Sequence, residues 1–197
     1  DQYGLDPLRY YLLKEVSFGN DGSISKDKLI SCINSDLANN FGNLCQRVLA
    51  FTEKNLTLKV PEPDTFDKED LNLLNIFSKE YNKLIDLIDN QNINLYMNFI
   101  VDQMFIANKY FNDQEPWNKK KDIKRLNTII YISLELIRKI SILLYPVIPN
   151  SSLKALDIFN IKEKMINFET IKDHKFLINK NKIKKINILF EKVLKND

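Results

Sequence analysis

The amino-acid sequence predicts an all-α protein whose helices pack as an antiparallel bundle. Apolar residues recur at steps of three and four in successive stretches, which is the spacing of one face of a helix. Capping residues and prolines mark the ends of these stretches, and only short connections separate them. Together, these three observations favour five or six helices joined by short loops.

Length and composition are those of a globular protein. The 197 residues are 44% hydrophobic and 28% charged, and a chain of this length can bury a sizeable core. The most apolar stretch, 129–148, contains Glu135, Arg138 and Lys139 and does not resemble a membrane span. The N-terminus lacks the basic-then-apolar order of a signal peptide, and Asp1 is not a natural first residue. We therefore expect a piece of a longer protein, and the presence of only two cysteines, with no Cys-x-x-Cys pair, fits a reducing cytoplasm.

The first helix is expected to begin at Asp6, which can serve as its N-cap, with Pro7 in the first helical position. A tight loop follows at residues 18–25. It holds two of the four glycines, at a spacing that does not suit a phosphate-binding loop. Ser25 can then cap a short second helix that runs through Ile33.

A long helix is predicted from Asn34 to Phe51, and the rest of the chain is organised around it. Its buried face should hold five apolar residues at helical spacing: Leu37, Phe41, Leu44, Val48 and Phe51. A second stripe with the same spacing runs beside them: Asp36, Asn40, Asn43 and Arg47. Because Asn43 and Arg47 are one turn apart, both should point the same way from the edge of the buried face.

A linker and a further amphipathic helix are expected next. Residues 59–64 contain two prolines and should form an extended linker, since prolines this dense cannot continue a helix. Asp67 or Asp64 can cap the following helix, which should run to Ile88. The polar residues 89–92 are expected to end it.

The next two predicted helices lie on either side of a polar loop. One runs from about Asn94 to Phe111. The other, residues 125–145, is apolar around most of its circumference, which predicts a buried central helix. Pro146 and Pro149 are expected to end this central helix.

The C-terminal part of the chain has weaker patterns. Ser151 or Ser152 is expected to cap a shorter helix that ends near Phe159. From Asn167 onward the apolar residues alternate only weakly. This tail is expected to return against the bundle as a short strand or helix.

The side chains that usually perform catalysis or bind metals are scarce. Two cysteines and one histidine exclude the usual zinc-finger ligand sets, and no disulfide framework is expected. Cys45 lies within the long helix and is expected to be a small buried apolar residue rather than a nucleophile. His174 lies in a lysine-rich tail and is expected to be exposed. The sequence therefore predicts a binding module rather than a reaction centre.

Asn43 and Arg47 are the first candidates for binding. An amide and a forked guanidinium on a packed helix suit hydrogen bonding to a planar polar ligand such as a nucleobase. The alternative is a solvated helix flank that carries an Asn–Arg pair by chance. The lysine-rich chain has only four arginines, which favours positions where lysine cannot replace the fork. They are Arg9, Arg47, Arg125 and Arg138.

Trp117 is the second candidate. It is the only tryptophan and follows Pro116 in a polar loop. It can fold back into the core, or it can offer a surface on which an unpaired base stacks. Five basic residues follow that could meet phosphates: Lys119, Lys120, Lys121, Lys124 and Arg125. Residues 99–197 carry 19 basic and 11 acidic residues, against 10 and 15 in residues 1–98. A solvated lysine-rich face is the alternative explanation of this asymmetry.

Taken in order, these stretches resemble the C-terminal anticodon-binding region of methionyl-tRNA synthetases, which are class I aminoacyl-tRNA synthetases. The matching segments cover nearly the whole chain: 3–13, 18–22, 34–39, 42–44 with Arg47, 107–111, 116–117, 144–149 and 189–193. The Asn-x-x-x-Arg helix combined with a later Pro-Trp loop is quite specific to methionine enzymes. The first helices are shared more loosely with other class I synthetases.

The resemblance implies a fold, a domain organisation and a set of roles. It implies a helix bundle of the class I synthetase anticodon-binding type over residues 1–197, with a first-helix linker region at 1–25 and a packing tail at 160–197. In that family the helix asparagine and arginine and the loop tryptophan read the CAU anticodon. These roles fall on Asn43, Arg47 and Trp117.

The resemblance also implies what lies outside this chain. The His-Ile-Gly-His and Lys-Met-Ser-Lys-Ser motifs of the catalytic domain are absent, as are its zinc-bearing insertion and the dimerisation domain of some members. The parent would be an ATP-dependent methionine–tRNA ligase that uses magnesium and, with the insertion, zinc. The fragment itself would be inactive, monomeric and free of cofactors. Its partners would be a CAU-bearing, methionine-accepting tRNA and the catalytic domain of the same chain, with no membrane.

Two alternatives remain open on the sequence alone. The chain could be the equivalent domain of another class I synthetase, which exchange of the tRNA would reveal. It could also be a helical protein-interaction module without RNA binding, whose affinity would be indifferent to salt and to anticodon sequence.

Overall fold

The computed structural model describes residues 3–16, 19, 22, 24–178, 182–185 and 187–194. Within these residues the fold is all-α, as predicted, but it has eight α-helices rather than the five or six expected, and no β-strand. The α-helices are α1 (Leu5–Glu15), α2 (Lys26–Cys32), α3 (Asn43–Leu56), α4 (Lys68–Lys79), α5 (Tyr81–Asp89), α6 (Ile93–Asp113), α7 (Ile123–Leu144) and α8 (Pro149–Asp157). A π-helical segment (Ile33–Gly42) joins α2 to α3, and short 3-10 turns occupy Pro116–Asn118, Glu163–Met165 and Phe168–Lys172. No helix in the described ranges has the length and apolarity needed to span a bilayer.

Helix α7 is the centre of the core, which confirms the prediction of a buried helix. Nearly every residue from Leu126 to Leu144 is buried, because α3, α4, α6 and α8 all pack around it. A helix that is apolar around its whole circumference is stable only when it is covered on all sides.

The first helix begins before Asp6, so the prediction that Asp6 caps α1 is wrong. Asp6 lies inside α1, and Gly4 precedes the helix with a φ of 80°. The Asp6 carboxylate instead accepts hydrogen bonds from the backbone N–H of Ser151 at 2.6 Å and from the Asn150 amide at 3.3 Å. It therefore satisfies one of the free backbone N–H groups in the first turn of α8.

The prediction that Ser151 or Ser152 caps α8 is also wrong, because this helix too begins earlier in the chain than predicted. The helix begins at Pro149, and both serines lie in its first turn. Proline tolerates the first helical position because its missing N–H would have no partner there. The cap comes from α1, a contact that only the tertiary structure creates.

The predicted helix from Asp67 to Ile88 is two helices, α4 and α5, separated at Glu80. Asp67 is the N-cap of α4, as predicted, and its carboxylate accepts from the backbone N–H of Asp70 at 2.9 Å. Asp70 returns the contact to the Asp67 N–H at 3.0 Å, which completes a capping box. The polar residues 89–92 end α5, as predicted.

Three charged side chains on α7 are fully buried: Glu135, Arg138 and Lys139. Arg138 Nε donates to Glu135 at 2.7 Å, and Arg138 Nη2 donates to the backbone oxygens of Thr170 and Asp173, both at 3.0 Å. Glu135 also accepts from the backbone N–H of Leu177 at 2.8 Å. Because these groups are paired, they can be buried, and they fix residues 170–177 on the bundle.

The described part of the tail is neither a strand nor an α-helix. Leu177, Ile183 and Phe190 are buried, and single backbone hydrogen bonds join Ile183 N–H to Leu58 O and Lys184 N–H to Ile158 O. Two 3-10 turns supply its only regular structure within the described ranges. Residues 179–181 and Ile186, and half of the predicted loop at 18–25, lie outside the described residues.

Candidate nucleic-acid interface

The predicted helix from Asn34 to Phe51 is not a regular α-helix. Residues Ile33–Gly42 form a π-helical segment, and the Asn43 N–H donates to the oxygen of Ala38, five residues earlier. The apolar stripe is nevertheless buried as predicted, because Leu37, Phe41, Leu44 and Val48 are all at 0% exposure and Phe51 is half-buried. Asn43 is the first residue of α3, immediately after the π-helical segment.

The first two residues of the second stripe differ from the last two. Asp36 and Asn40 lie in the π-helical segment and are buried rather than at the solvated edge. Asp36 accepts hydrogen bonds from Tyr10 Oη at 3.0 Å and Lys14 Nζ at 2.6 Å, which ties α1 to this segment.

Asn40 connects the same segment to α6. Asn108 Nδ2 donates to Asn40 Oδ1 at 2.7 Å and lies 3.1 Å from the Asn40 backbone oxygen. The buried Asn40 Nδ2 has no hydrogen-bond partner among the described residues. The hydrogen bond between Asn108 and Asn40 fixes α6 beside the pair Asn43 and Arg47, at the point where α3 begins.

Asn43 and Arg47 are both partly exposed, as expected for the edge of a buried face. They lie one helical turn apart on α3, about 6 Å along the axis. The Asn43 amide makes no hydrogen bond to any residue that the structure describes. Arg47 places its Cζ 5.3 Å from the centroid of the Phe111 ring, and its Nη2 lies 3.5 Å from Asn112 Oδ1.

The other three arginines are engaged within the fold. Arg9 donates to the backbone oxygens of Val147 and Pro146, Arg125 binds the Asp70 carboxylate, and Arg138 binds Glu135. Among the described residues, Arg47 is the one arginine with neither a carboxylate nor a close carbonyl partner. Its long contact to an exposed amide leaves most of its five N–H donors available to a ligand.

Trp117 lies in the 3-10 turn Pro116–Asn118, at 40% exposure. Its ring meets that of Phe111 at a centroid distance of 6.2 Å and an angle of 70°, so it is neither a core plug nor a free side chain. Glu115, just before the proline, has a φ of 44°, a conformation that L-residues rarely adopt. The chain turns sharply there, which directs Trp117 back toward α6.

The basic residues after Trp117 differ in their availability. Lys119, Lys120 and Lys121 are exposed and form no ion pair within the described ranges. Lys124 is exposed and lies 3.5 Å from Asp64. Arg125 is not available to phosphates, because its guanidinium binds the buried Asp70 carboxylate.

Cys45 is fully buried, as predicted, and its burial raises the pKa of its thiol. The prediction that His174 is exposed is wrong. His174 is half-buried, with Nε2 2.8 Å from Asn75 Oδ1 and Nδ1 3.4 Å from Lys139 Nζ. Burial, followed by the charge of Lys139, lowers the pKa of His174. Among the residues described, no cluster of three or more His, Cys, Asp or Glu side chains is arranged for a metal ion.

The sequence analysis assigned no binding role to the α6 residues of this surface, Asn108, Phe111 and Asn112, although the first two lie in a segment that resembles the family. Phe111 follows Ala107 and Met104 at steps of four and three, so its spacing indicates only an apolar core position. Its additional contacts with Arg47 and Trp117 depend on how α3 and the loop pack against α6. No pattern within α6 reveals them.

Two family models match the chain. Residues 60–197 match the anticodon binding domain of methionyl tRNA ligase, and residues 1–49 match the class I (M) tRNA synthetases.

Curated relatives include the methionine–tRNA ligase of Brucella suis, which is 40% identical over 162 residues, or 82% of this chain and 32% of the relative. The Mycobacterium leprae enzyme is 38% identical over 174 residues, or 86% of this chain and 32% of the relative. This chain therefore spans about a third of the length of these relatives.

Solved structures of Mycobacterium tuberculosis methionyl-tRNA synthetase share the fold. The free-state structure has a TM-score of 0.92 at 33% identity, over 98% of this chain and 40% of that chain. The structure bound by methionyl-adenylate has a TM-score of 0.90 at 33% identity, over 96% of this chain and 38% of that chain.

Proposed function

The chain belongs to the methionyl-tRNA ligase family, and we propose that its Asn43, Arg47 and Trp117 read the CAU anticodon of a methionine-accepting tRNA. The observation that carries this proposal is the shared contact of Arg47 and Trp117 with the Phe111 ring. Because both side chains contact this ring, the Arg47 guanidinium on α3 and the exposed part of the Trp117 ring in the 3-10 turn belong to one small surface patch.

The chemistry of this patch suits an unstacked base. Proteins recognise single-stranded RNA by stacking splayed bases on aromatic rings and by hydrogen bonding to their edges. The exposed part of Trp117 supplies the stacking surface. Arg47 and Asn43 supply donors, and the Asn43 amide also supplies an acceptor, so the first cytosine can be read along its edge.

The exposed lysines beside the patch would serve the backbone rather than the bases. Lys119, Lys120 and Lys121 directly follow the tryptophan turn. Lysine is a compact point charge that suits phosphate, and such contacts give affinity without sequence preference. Arginine at position 47 is different, because only its planar fork can make two parallel hydrogen bonds.

The whole enzyme would be a methionine–tRNA ligase that attaches methionine to tRNA with ATP and magnesium, and zinc where the insertion is present. The relative from M. tuberculosis was solved with methionyl-adenylate, which is the activated form of the amino acid. We place residues 1–197 in the anticodon-binding bundle, with 1–25 as linker and first-helix region and 160–197 as a tail. This part would be inactive alone, monomeric and cytoplasmic, and would work beside the catalytic domain of the same chain.

The test is a titration of the chain with two anticodon stem-loops, one with CAU and one with its first base changed, at low and moderate salt. The wild type should prefer CAU, and affinity for both loops should fall with salt. Arg47→Lys keeps the charge and loses the fork, so it should lose most of the preference while retaining the salt dependence. Lys54→Arg on the same helix is the matched control and should change neither.

Each of the other outcomes would indicate a different function for this chain. Equal, salt-sensitive binding to both loops would overturn CAU reading and leave a general tRNA-binding bundle. Preference for the anticodon of another tRNA would indicate a different class I synthetase. Absence of binding to any loop, or binding indifferent to salt and sequence, would favour a protein-interaction module instead.

A further inference from the structure

We propose that Phe111 is a positioning residue, whose ring holds the Arg47 fork and the Trp117 indole in register for the same base. This inference rests on the proposed anticodon-reading function and assigns a role to a residue that does not itself touch RNA. Phe111 is 2% exposed, so a base cannot reach it directly. It would act through Arg47 on one side and Trp117 on the other.

The contact with Arg47 constrains a side chain that is otherwise free to move. The guanidinium carbon lies 5.3 Å from the ring centroid, within the range of a cation–π interaction. The only other polar contact within the described residues is the 3.5 Å approach to Asn112. The ring face therefore supplies most of the restraint on Arg47 and leaves its N–H edges open for hydrogen bonding.

The contact with Trp117 constrains the loop. The two rings meet nearly edge to face, at 6.2 Å and 70°, which is a favoured aromatic geometry. Phe51 of α3 meets the same ring edge to face, at 6.3 Å and 82°. Phe111 is thus packed between α3 and the tryptophan turn, so a shift of the ring would move Arg47 and Trp117 together.

Such restraint matters because binding costs conformational freedom. A long arginine side chain that must be ordered on binding weakens the complex, whereas one already held in place loses less entropy. This restraint should contribute most to the affinity for a base that needs the Arg47 guanidinium in one geometry. It should contribute least to phosphate contacts, which tolerate movement of the side chain. Phe111 should therefore affect preference for CAU more than overall affinity.

The experiment compares Phe111→Leu with a matched control, Phe77→Leu. Phe77 is also a buried phenylalanine, with an edge-to-face partner, Phe99, at 6.2 Å and the amine of Lys139 5.5 Å from its centroid. Both substitutions remove one buried ring, but only Phe111 contacts Arg47. Phe111→Leu should reduce the preference for CAU over the changed loop about two- to five-fold. Phe77→Leu should leave the preference unchanged.

Two further readouts separate positioning from general loss of structure. In an Arg47→Lys background, Phe111→Leu should cause a smaller further loss of preference than in the wild type, because the part of its effect that acts through Arg47 is already lost. Trp117 is the only tryptophan, so its fluorescence reports its surroundings alone and should change in Phe111→Leu but not in Phe77→Leu. If Phe111→Leu does not fold, Phe111→Met, which is also ringless but more adaptable, takes its place.

The possible results distinguish the two proposals. Full CAU preference in a folded Phe111→Leu protein would overturn the positioning role while leaving anticodon reading intact. An equal further loss in the Arg47→Lys background, or an equal loss in Phe77→Leu, would reduce Phe111 to a core residue. If the wild type itself shows no CAU preference, the anticodon-reading function fails and the positioning role fails with it.

Discussion

Arg125 donates hydrogen bonds to the Asp70 carboxylate from both of its terminal nitrogens: Nη1 binds Oδ2, and Nη2 lies 3.1 Å from Oδ1. Asp70 is fully buried and also accepts from Tyr110 Oη at 2.8 Å and from the Asp67 N–H at 3.0 Å. Burial and then the Asp70 charge raise the pKa of Tyr110. One carboxylate thus joins α4, α6 and α7, beside the loop that carries Trp117.

Replacement of Asp70 should therefore lower the free energy of unfolding substantially. Asp70→Asn keeps the shape but removes the buried carboxylate, so that Arg125 retains only the half-exposed Asp67 as a charged partner. Loss of one partner of a buried pair typically costs about 3 kcal/mol of unfolding free energy. Asp67→Asn is the matched control, because asparagine also serves as an N-cap and the ion pair of Asp67 with Arg125, at 3.1 Å, is half-exposed. Urea unfolding should show a loss of less than about 1 kcal/mol for this control. Equal stabilities for the two variants would contradict the assignment.

Trp117→Ala should weaken binding to the CAU stem-loop without unfolding the protein. Stacking on an aromatic ring contributes about 1–3 kcal/mol per base, so affinity should fall roughly 5- to 150-fold. The side chain is 40% exposed, and its removal should change the unfolding free energy much less than removal of a core residue. Trp117→Phe should retain part of the affinity. Unchanged affinity in Trp117→Ala, measured by titration, would exclude the stacking role.

Lys119, Lys120 and Lys121 should contribute affinity without selectivity. The triple Lys→Gln variant should weaken binding of both stem-loops by the same factor. Each phosphate contact that is lost should also lower the slope of log affinity against log salt by about 0.7. Lys26→Gln combined with Lys28→Gln, exposed lysines on α2, is the control. A change in CAU preference in the triple variant would show that these lysines read bases.

His174 should make the stability of the fold depend on pH in mildly acidic solution. Burial and the charge of Lys139 lower its pKa below the ordinary 6.5, so the unfolded chain binds the proton more readily than the folded chain. The free energy of unfolding should therefore decrease as pH falls from 6.5 through the pKa of the folded state. Urea unfolding at pH 7.5 and 5.5 measures the effect, and His174→Gln should remove its share of the difference. Identical pH dependence in both proteins would contradict the prediction.

The all-α class and most helix positions could be predicted because they depend on local spacing. The buried apolar stripe at residues 37–48, the central burial of α7 and the cap at Asp67 all follow from residues within about one turn of each other. The errors arose where a distant element supplied the partner. Asp6 caps α8 instead of α1, and the half-buried His174 meets Asn75 of α4.

The candidate site divides in the same way. The types and spacing of Asn43, Arg47 and Trp117 identify three residues suited to a nucleobase, because donors and aromatic rings carry that chemistry in any fold. The sequence by itself determined which side chains were present. Only the tertiary structure decided that α6 brings Phe111 between Arg47 and Trp117, and that the other three arginines are used within the fold. Such contacts join residues far apart in the chain, and packing rather than local spacing sets them.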